Sequence, residues 1–108
     1  MEKWESQVRK GTLEFIILMY LQRNKYYAYE LISDIRNTIS MNIAEGTIYP
    51  LLNRLKKEGL ISSQWVEMET GIPRKYYQIN NVGLEIVESM KHSWKDLSGS
   101  INILTSQG

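Results

Sequence analysis

Apolar and polar positions along the chain fall into blocks of helical period, interrupted once by a block with the alternation of strands. Leu13, Ile16, Ile17, Tyr20 and Leu21 recur at helical spacing, and Trp4 and Val8 can extend that face upstream. Gly11 either interrupts one long helix or separates a short arm from it. Gln22-Arg23-Asn24-Lys25 closes the segment. A second helix is expected from about Tyr27 to Ile39, with Ala28, Leu31, Ile32, Ile35 and Ile39 on its buried stripe. Asn37-Thr38 and Ser40-Met41-Asn42 are poor helix formers at its end.

A third helix is expected within Glu45 to Glu58, with Ile48, Leu51, Leu52 and Leu55 inward. Lys56 and Lys57 suit the negative end of its dipole, and Gly59 is a stop. Pro50 costs a backbone bond in a helix interior. Either the helix starts shortly before it, with Thr47 as cap, or its first turn is distorted. Beyond Gly59 the period shortens. Leu60 to Glu67 and Tyr76 to Ile79 are rich in β-formers, and Met68-Glu69-Thr70-Gly71-Ile72-Pro73 between them is a loop. The two runs are read as a hairpin.

The last helix is expected from about Val82 to Leu104. Val87, Met90, Trp94, Leu97, Ile101 and Leu104 are spaced 3, 4, 3, 4, 3, the seam of a heptad repeat. Leu84 and Ile86 widen the apolar face where the helix meets the body. So long a helix has few core partners in a chain of 108 residues, and a second copy across a two-fold axis would cover it. The alternative is that it folds back on its own domain. The element order is three helices, a hairpin and a helix, that of a winged helix-turn-helix. The fold class expected is mostly α with a small β-hairpin. Residues 1–81 form the winged helix-turn-helix part and 82–108 the C-terminal dimerisation helix, together one compact domain.

Composition narrows the function. With no cysteine there are neither disulfides nor thiolate metal sites, which fits a reducing cytoplasm, the expected location. No apolar run reaches the ~18 residues of a membrane span, and no membrane partner is expected. His92 is the single histidine, without a metal-site partner, and Gly71 and Gly83 are isolated rather than part of a phosphate-binding loop. Neither an enzyme nor a bound metal or cofactor is expected. The 13 basic and 12 acidic residues nearly cancel, so the case for a polyanionic partner rests on where the cations stand.

In a helix-turn-helix the second helix of the pair lies in the major groove. Here that helix carries Tyr49, Asn53, Lys56 and Lys57 on its outer face, with Thr47 near its N-terminus. Asn pairs with adenine edges, Thr meets thymine methyls, and Lys meets guanine or phosphate. Tyr49 can donate to a phosphate. Arg74 and Lys75, at the base of the hairpin loop, are placed to reach phosphates or the minor groove. Glu67 and Glu69 on the other arm can instead neutralise them in a salt-bridged hairpin. Trp94 lies on the heptad seam. Its indole either fills the interface or, facing its copy, brackets a flat aromatic ligand.

These segments resemble the PadR family of bacterial transcriptional regulators. The resemblance is carried by Arg9-Lys10-Gly11-Thr12-Leu13, by Tyr27-Ala28-Tyr29-Glu30-Leu31, and most strongly by Gly46-Thr47-Ile48-Tyr49-Pro50-Leu51-Leu52-Asn53-Arg54-Leu55 followed by Glu58-Gly59-Leu60-Ile61. Gly71-Ile72-Pro73-Arg74-Lys75-Tyr76-Tyr77 and Gly83 complete it. The single C-terminal helix resembles the short-chain branch. The resemblance implies a homodimer repressing transcription from a double-stranded operator of two-fold symmetry, relieved by a small aromatic or hydrophobic effector. By position it implies that Thr47, Tyr49 and Asn53 read DNA and that Arg74 and Lys75 hold its backbone; Tyr27 and Lys56 complete the expected DNA-binding set. Trp94 is similar to a tryptophan at the dimer-centre pocket of multidrug-responsive members. Ala28 stands where a glycine is usual, and the last helix ends soon after Leu104. A winged-helix protein-interaction module without DNA binding is the alternative reading.

Overall fold

The computed structural model describes residues 1–39 and 43–107. Helix α1 (Glu2–Arg23) is continuous through Gly11, so arm and helix are one element. A mid-helix glycine costs about 1 kcal/mol relative to alanine. The cost is offset by burial of Leu13, Ile17, Leu18 and Leu21 along the rest of the helix. Helix α2 spans Ala28–Thr38, and Glu30 accepts a hydrogen bond from the Tyr27 N–H at its start. The break expected at Ser40-Met41-Asn42 lies outside the described residues.

Helix α3 covers Glu45–Lys57, strand β2 Ile61–Val66, strand β3 Arg74–Ile79 and helix α4 Asn81–Gln107. The hairpin is antiparallel, with Ile61 opposite Ile79 and Val66 opposite Arg74. The structure adds a strand that periodicity did not disclose. Tyr26–Tyr27, β1, pairs with β3 through Tyr26 opposite Tyr77 and Tyr27 opposite Tyr76. The sheet order is β1-β3-β2, so the wing is sewn to the segment entering α2.

The core lies where α1, α2 and α3 meet the sheet. Ile17, Leu18, Leu31, Ile35, Ile48, Leu52 and Leu55 are wholly buried there. Polar bonds fix the seams. The Tyr26 hydroxyl donates to Asp34 Oδ2 at 2.8 Å, and the Tyr20 hydroxyl donates to the Asp34 carbonyl at 3.1 Å. At the other end Asn80 caps α4. Its Oδ1 accepts from the Gly83 N–H at 2.9 Å, and its Nδ2 donates to the Gly59 carbonyl at 2.7 Å.

Two expectations about α4 change. Val87, assigned above to the dimer seam, is wholly buried in the chain's own core. The first seam position therefore belongs to the fold and is not available to a partner. Leu84 and Ile86 remain more than a third exposed, and the helix meets the body through Gly83 and Val87 instead. From Trp94 onward the apolar side chains of α4 face solvent: Trp94, Leu97, Ile101 and Leu104 are 45–68% exposed.

Candidate nucleic-acid interface

Helix α3 is placed by its aliphatic stripe and by both ends. Ile48, Leu52 and Leu55 are fully enclosed, which fixes its rotation. Ahead of it, Arg36 of α2 donates from Nε (2.9 Å) and from Nη2 to the Ile43 carbonyl, tying α2 to the residue before the cap. The cap is Ala44, which offers no side-chain bond, so Thr47 is not the cap but lies within the first turn. Pro50 sits well inside the helix, on its exposed side. The helix ends at Gly59, whose φ of 80° suits glycine. The Leu60 N–H donates to the Leu55 carbonyl and the Gly59 N–H to the Lys56 carbonyl, closing the last turn.

With this rotation fixed, Tyr49, Asn53 and Lys56 share one exposed face, at i, i+4 and i+7. Thr47 does not share it. It stands roughly 160° around the helix from Tyr49, given 3.6 residues per turn. There it faces α1 across a cleft of about 580 Å³ that also carries Arg9, Lys10, Glu14 and Arg54. The Arg54 guanidinium is neutralised within this cleft by Glu14, 3.2 Å away, and by Glu58 at the same distance.

On the other flank the wing approaches the Tyr49 face. Tyr27, Tyr29, Tyr49, Trp65, Arg74 and Lys75 line a second cleft, of about 510 Å³. Its cations rest on rings. The Arg74 guanidinium lies 4.5 Å above the Tyr27 ring centre, and the Lys75 ammonium is 5.9 Å from the Trp65 centre and 5.7 Å from that of Tyr77. Nearby, Lys25 lies 5.4 Å from the Tyr76 ring centre. The Tyr27 ring is held edge-on by Tyr76 and stacked by Tyr29. Burial, with a smaller contribution from nearby Tyr49, pushes the Tyr77 phenol above its ordinary range.

Ion pairs among the described residues involve Arg54 and Lys91, and none joins Arg74 or Lys75 to Glu67 or Glu69. The salt-bridged hairpin considered from sequence is therefore not what forms. A guanidinium on a tyrosine ring is oriented while its charge stays uncompensated, unlike one paired with a carboxylate. The structure thus brings Tyr27, Tyr49, Arg74 and Lys75 together, sets Asn53 and Lys56 further along the same face, and separates Thr47. Tyr29 and Trp65 join the cleft although periodicity marked neither. The available signal was aromatic density beside cations: Tyr26, Tyr27 and Tyr29 after Lys25, and Trp65 in pairing register with Lys75.

A third concavity, of about 790 Å³, runs between α1 and α4. It is lined by Trp4, Val8, Phe15, Met90, Trp94, Leu97 and Ile101, among others. Phe15 and Trp94 touch with ring centres 6.4 Å apart. The seam residues Met90, Trp94, Leu97 and Ile101 thus open onto a groove that α1 helps to build.

Residues 17–94, from the middle of α1 to the middle of α4, match the transcriptional regulator PadR-like family. The fold is similar to that of a PadR-like transcriptional regulator from Bacillus cereus, at 40% identity and a TM-score of 0.86, over 94% of this chain and 98% of that one. It is similar also to a PadR family transcriptional regulator from Eggerthella lenta, at 29% identity and a TM-score of 0.84, over 99% and 93%. An uncharacterized protein from Lysinibacillus sphaericus is 29% identical over 100 residues, 91% of this chain and 92% of its own. The matched family comprises transcriptional regulators and not enzymes. On the order of its elements, the register of its wing and the span of the match, this chain belongs to the PadR-like family of transcriptional regulators.

Proposed function

We propose that the protein is a cytoplasmic repressor that binds a double-stranded operator of two-fold symmetry as a homodimer. The observation that carries this reading is the shared side of the fold on which the Tyr49–Asn53–Lys56 face of α3 meets wing cations that, among the described residues, no carboxylate neutralises. In this reading Tyr49 and Asn53 meet base edges, while Lys56, Arg74 and Lys75 hold phosphates, with Tyr27 orienting Arg74. Thr47, around the flank, meets the backbone rather than the bases. Residues 1–81 form the DNA-binding part, and α4 brings two copies together through Met90, Trp94, Leu97, Ile101 and Leu104. Two reading helices about 34 Å apart then meet successive turns of one groove. The groove beside Trp94 supports a small aromatic or hydrophobic effector, stacked on the indole and linking ligand binding to the spacing of the two copies.

The deciding experiment is an electrophoretic shift with the DNA just upstream of the protein's own gene, titrated with salt and unrelated competitor. A shift that survives competitor and weakens steeply with salt is expected. Absence of a shift at low salt, from protein shown to be dimeric, overturns this reading in favour of a protein-interaction module.

A further inference from the structure

Among the large exposed apolar side chains, two groups line concavities. Trp4, Val8, Trp94, Leu97 and Ile101 belong to the groove between α1 and α4, which a second copy is proposed to cover. Tyr29 and Trp65 do not. Each is 65% exposed, and they meet Tyr49, 45% exposed, across the cleft between the start of α2, α3 and the wing. Trp65 lies on β2, at an edge of the sheet, and the ring contact it makes within the fold is with the Lys75 ammonium. Burying an indole is among the larger gains open to a folding chain, and here most of that surface is left in water. The core does not explain the ring's position, nor does the dimer groove.

The surroundings select the kind of partner. Arg74, Lys75 and Lys25 stand over aromatic faces at 4.5–5.9 Å, charged and oriented. The Tyr27, Tyr29 and Tyr49 hydroxyls add donors, and among the described residues no carboxylate lines the cleft. A surface that alternates cations, hydroxyls and flat apolar rings complements a polyanion whose phosphates alternate with apolar sugar faces. An apolar protein helix would leave the cations without partners, and an acidic peptide would leave the rings without them.

We infer that Trp65 and Tyr29 are themselves DNA contacts, and that the cleft between α3 and the wing seats a length of duplex backbone. The indole lies flat against a deoxyribose, and the Tyr29 hydroxyl donates to an adjacent phosphate. This inference rests on the DNA-binding reading above and adds a second kind of contact to it. Arg74 and Lys75 hold phosphates by charge and release counterions, whereas Trp65 holds the sugar face and releases none. The two kinds of contact therefore differ in their dependence on salt.

The test uses the full-length protein and the operator fragment from the shift assay. Removing an interface tryptophan is expected to weaken binding about tenfold, a factor typical of an aromatic anchor. Trp65→Ala should do so by the same factor at every salt concentration, leaving the slope of log affinity against log salt unchanged. Arg74→Ala, by contrast, removes one phosphate contact from each copy and should make that slope shallower by about two. Because Trp65 is exposed, its variants should keep the wild-type melting temperature. A second readout needs no loss of affinity. Protein labelled with fluorotryptophan has three indoles, and Trp65→Phe identifies the resonance of Trp65. That resonance should move when operator is added. If the wild type binds operator while Trp65→Ala and Tyr29→Ala bind indistinguishably from it and the Trp65 resonance stays in place, the inference is overturned and the DNA-binding reading stands. A wild type that binds no DNA overturns both.

Discussion

Gly83 of α4 lies against the carbonyl of Leu60, so closely that a Cβ at position 83 would overlap that oxygen and come within 2.6 Å of Ile79 Cγ1. The first turn of α4 thereby docks on the junction where α3 ends and the wing begins. A methyl group there must push backbone, not the end of a flexible chain. Gly83→Ala is expected to destabilise the fold by about 2–3 kcal/mol. Urea denaturation followed by circular dichroism measures it, and wild-type stability would show that α4 can shift without cost.

Val87 and Leu97 lie on one apolar heptad seam but serve different partners. Val87 is fully buried, and Leu97 is 55% exposed. Val87→Ala should cost about 2 kcal/mol of stability, from lost transfer energy plus a small cavity. Leu97→Lys should leave thermal unfolding of the monomer fold intact while abolishing the proposed dimer on size exclusion. A dimer that survives Leu97→Lys would remove α4 from the interface.

Arg36 touches neither proposed DNA-binding surface, yet it holds the Ile43 carbonyl with two N–H donors just ahead of α3. Charge-assisted bonds of this kind are worth about 1.5–3 kcal/mol each. Arg36→Met keeps the aliphatic stem and removes both bonds. It should preserve helix content while weakening operator binding, because the entry to the reading helix is no longer fixed. Equal weakening by Arg36→Lys would point to geometry rather than charge, since one ammonium cannot reproduce the two-pronged contact.

Tyr77 gives the fold a dependence on alkaline pH. Burial raises its phenol above the ordinary value of 10.0, and nearby Tyr49 adds to the shift. The unfolded chain loses this proton first. Stability is therefore complete below about pH 10 and falls as pH rises through the raised folded value. Tyr26 is shifted in the same direction, first by burial and then by its bond to Asp34. Tyr77→Phe should make the decline above about pH 10 shallower without abolishing it, as urea midpoints measured at increasing pH would show. An unchanged slope would mean that the Tyr77 hydroxyl is solvated in the native state.

Much of the fold was legible because long helices repeat. The stripe of Ile48, Leu52 and Leu55 fixed both the existence of α3 and the direction in which Tyr49, Asn53 and Lys56 point. The Schellman turn at Gly59 was likewise written in the chain, since few other residues tolerate its positive φ. The start of α3 was not. Pro50 argued for a late start, but the helix begins at Glu45, because burial of Ile48 and the Arg36 tether outweigh one missing backbone bond. Strand β1 was also hidden, since two residues carry no period and their pairing with β3 depends on a segment some fifty positions away.

The sequence by itself determined the element order, the aliphatic stripes and the residue types available on α3 and the wing, because these follow from local period and turn chemistry. Only the tertiary structure decided that Val87 serves the core while Leu97 faces outward, since both lie on the same apolar seam and the globular body reaches the first and not the second. It alone decided that Thr47 turns toward α1 and that Arg74 and Lys75 rest on tyrosine and tryptophan rings instead of on Glu67 and Glu69. Charge counts cannot distinguish a cation over a ring from one against a carboxylate. That difference lies in the register of two strands and the placement of one helix cap, which are contacts between distant parts of the chain.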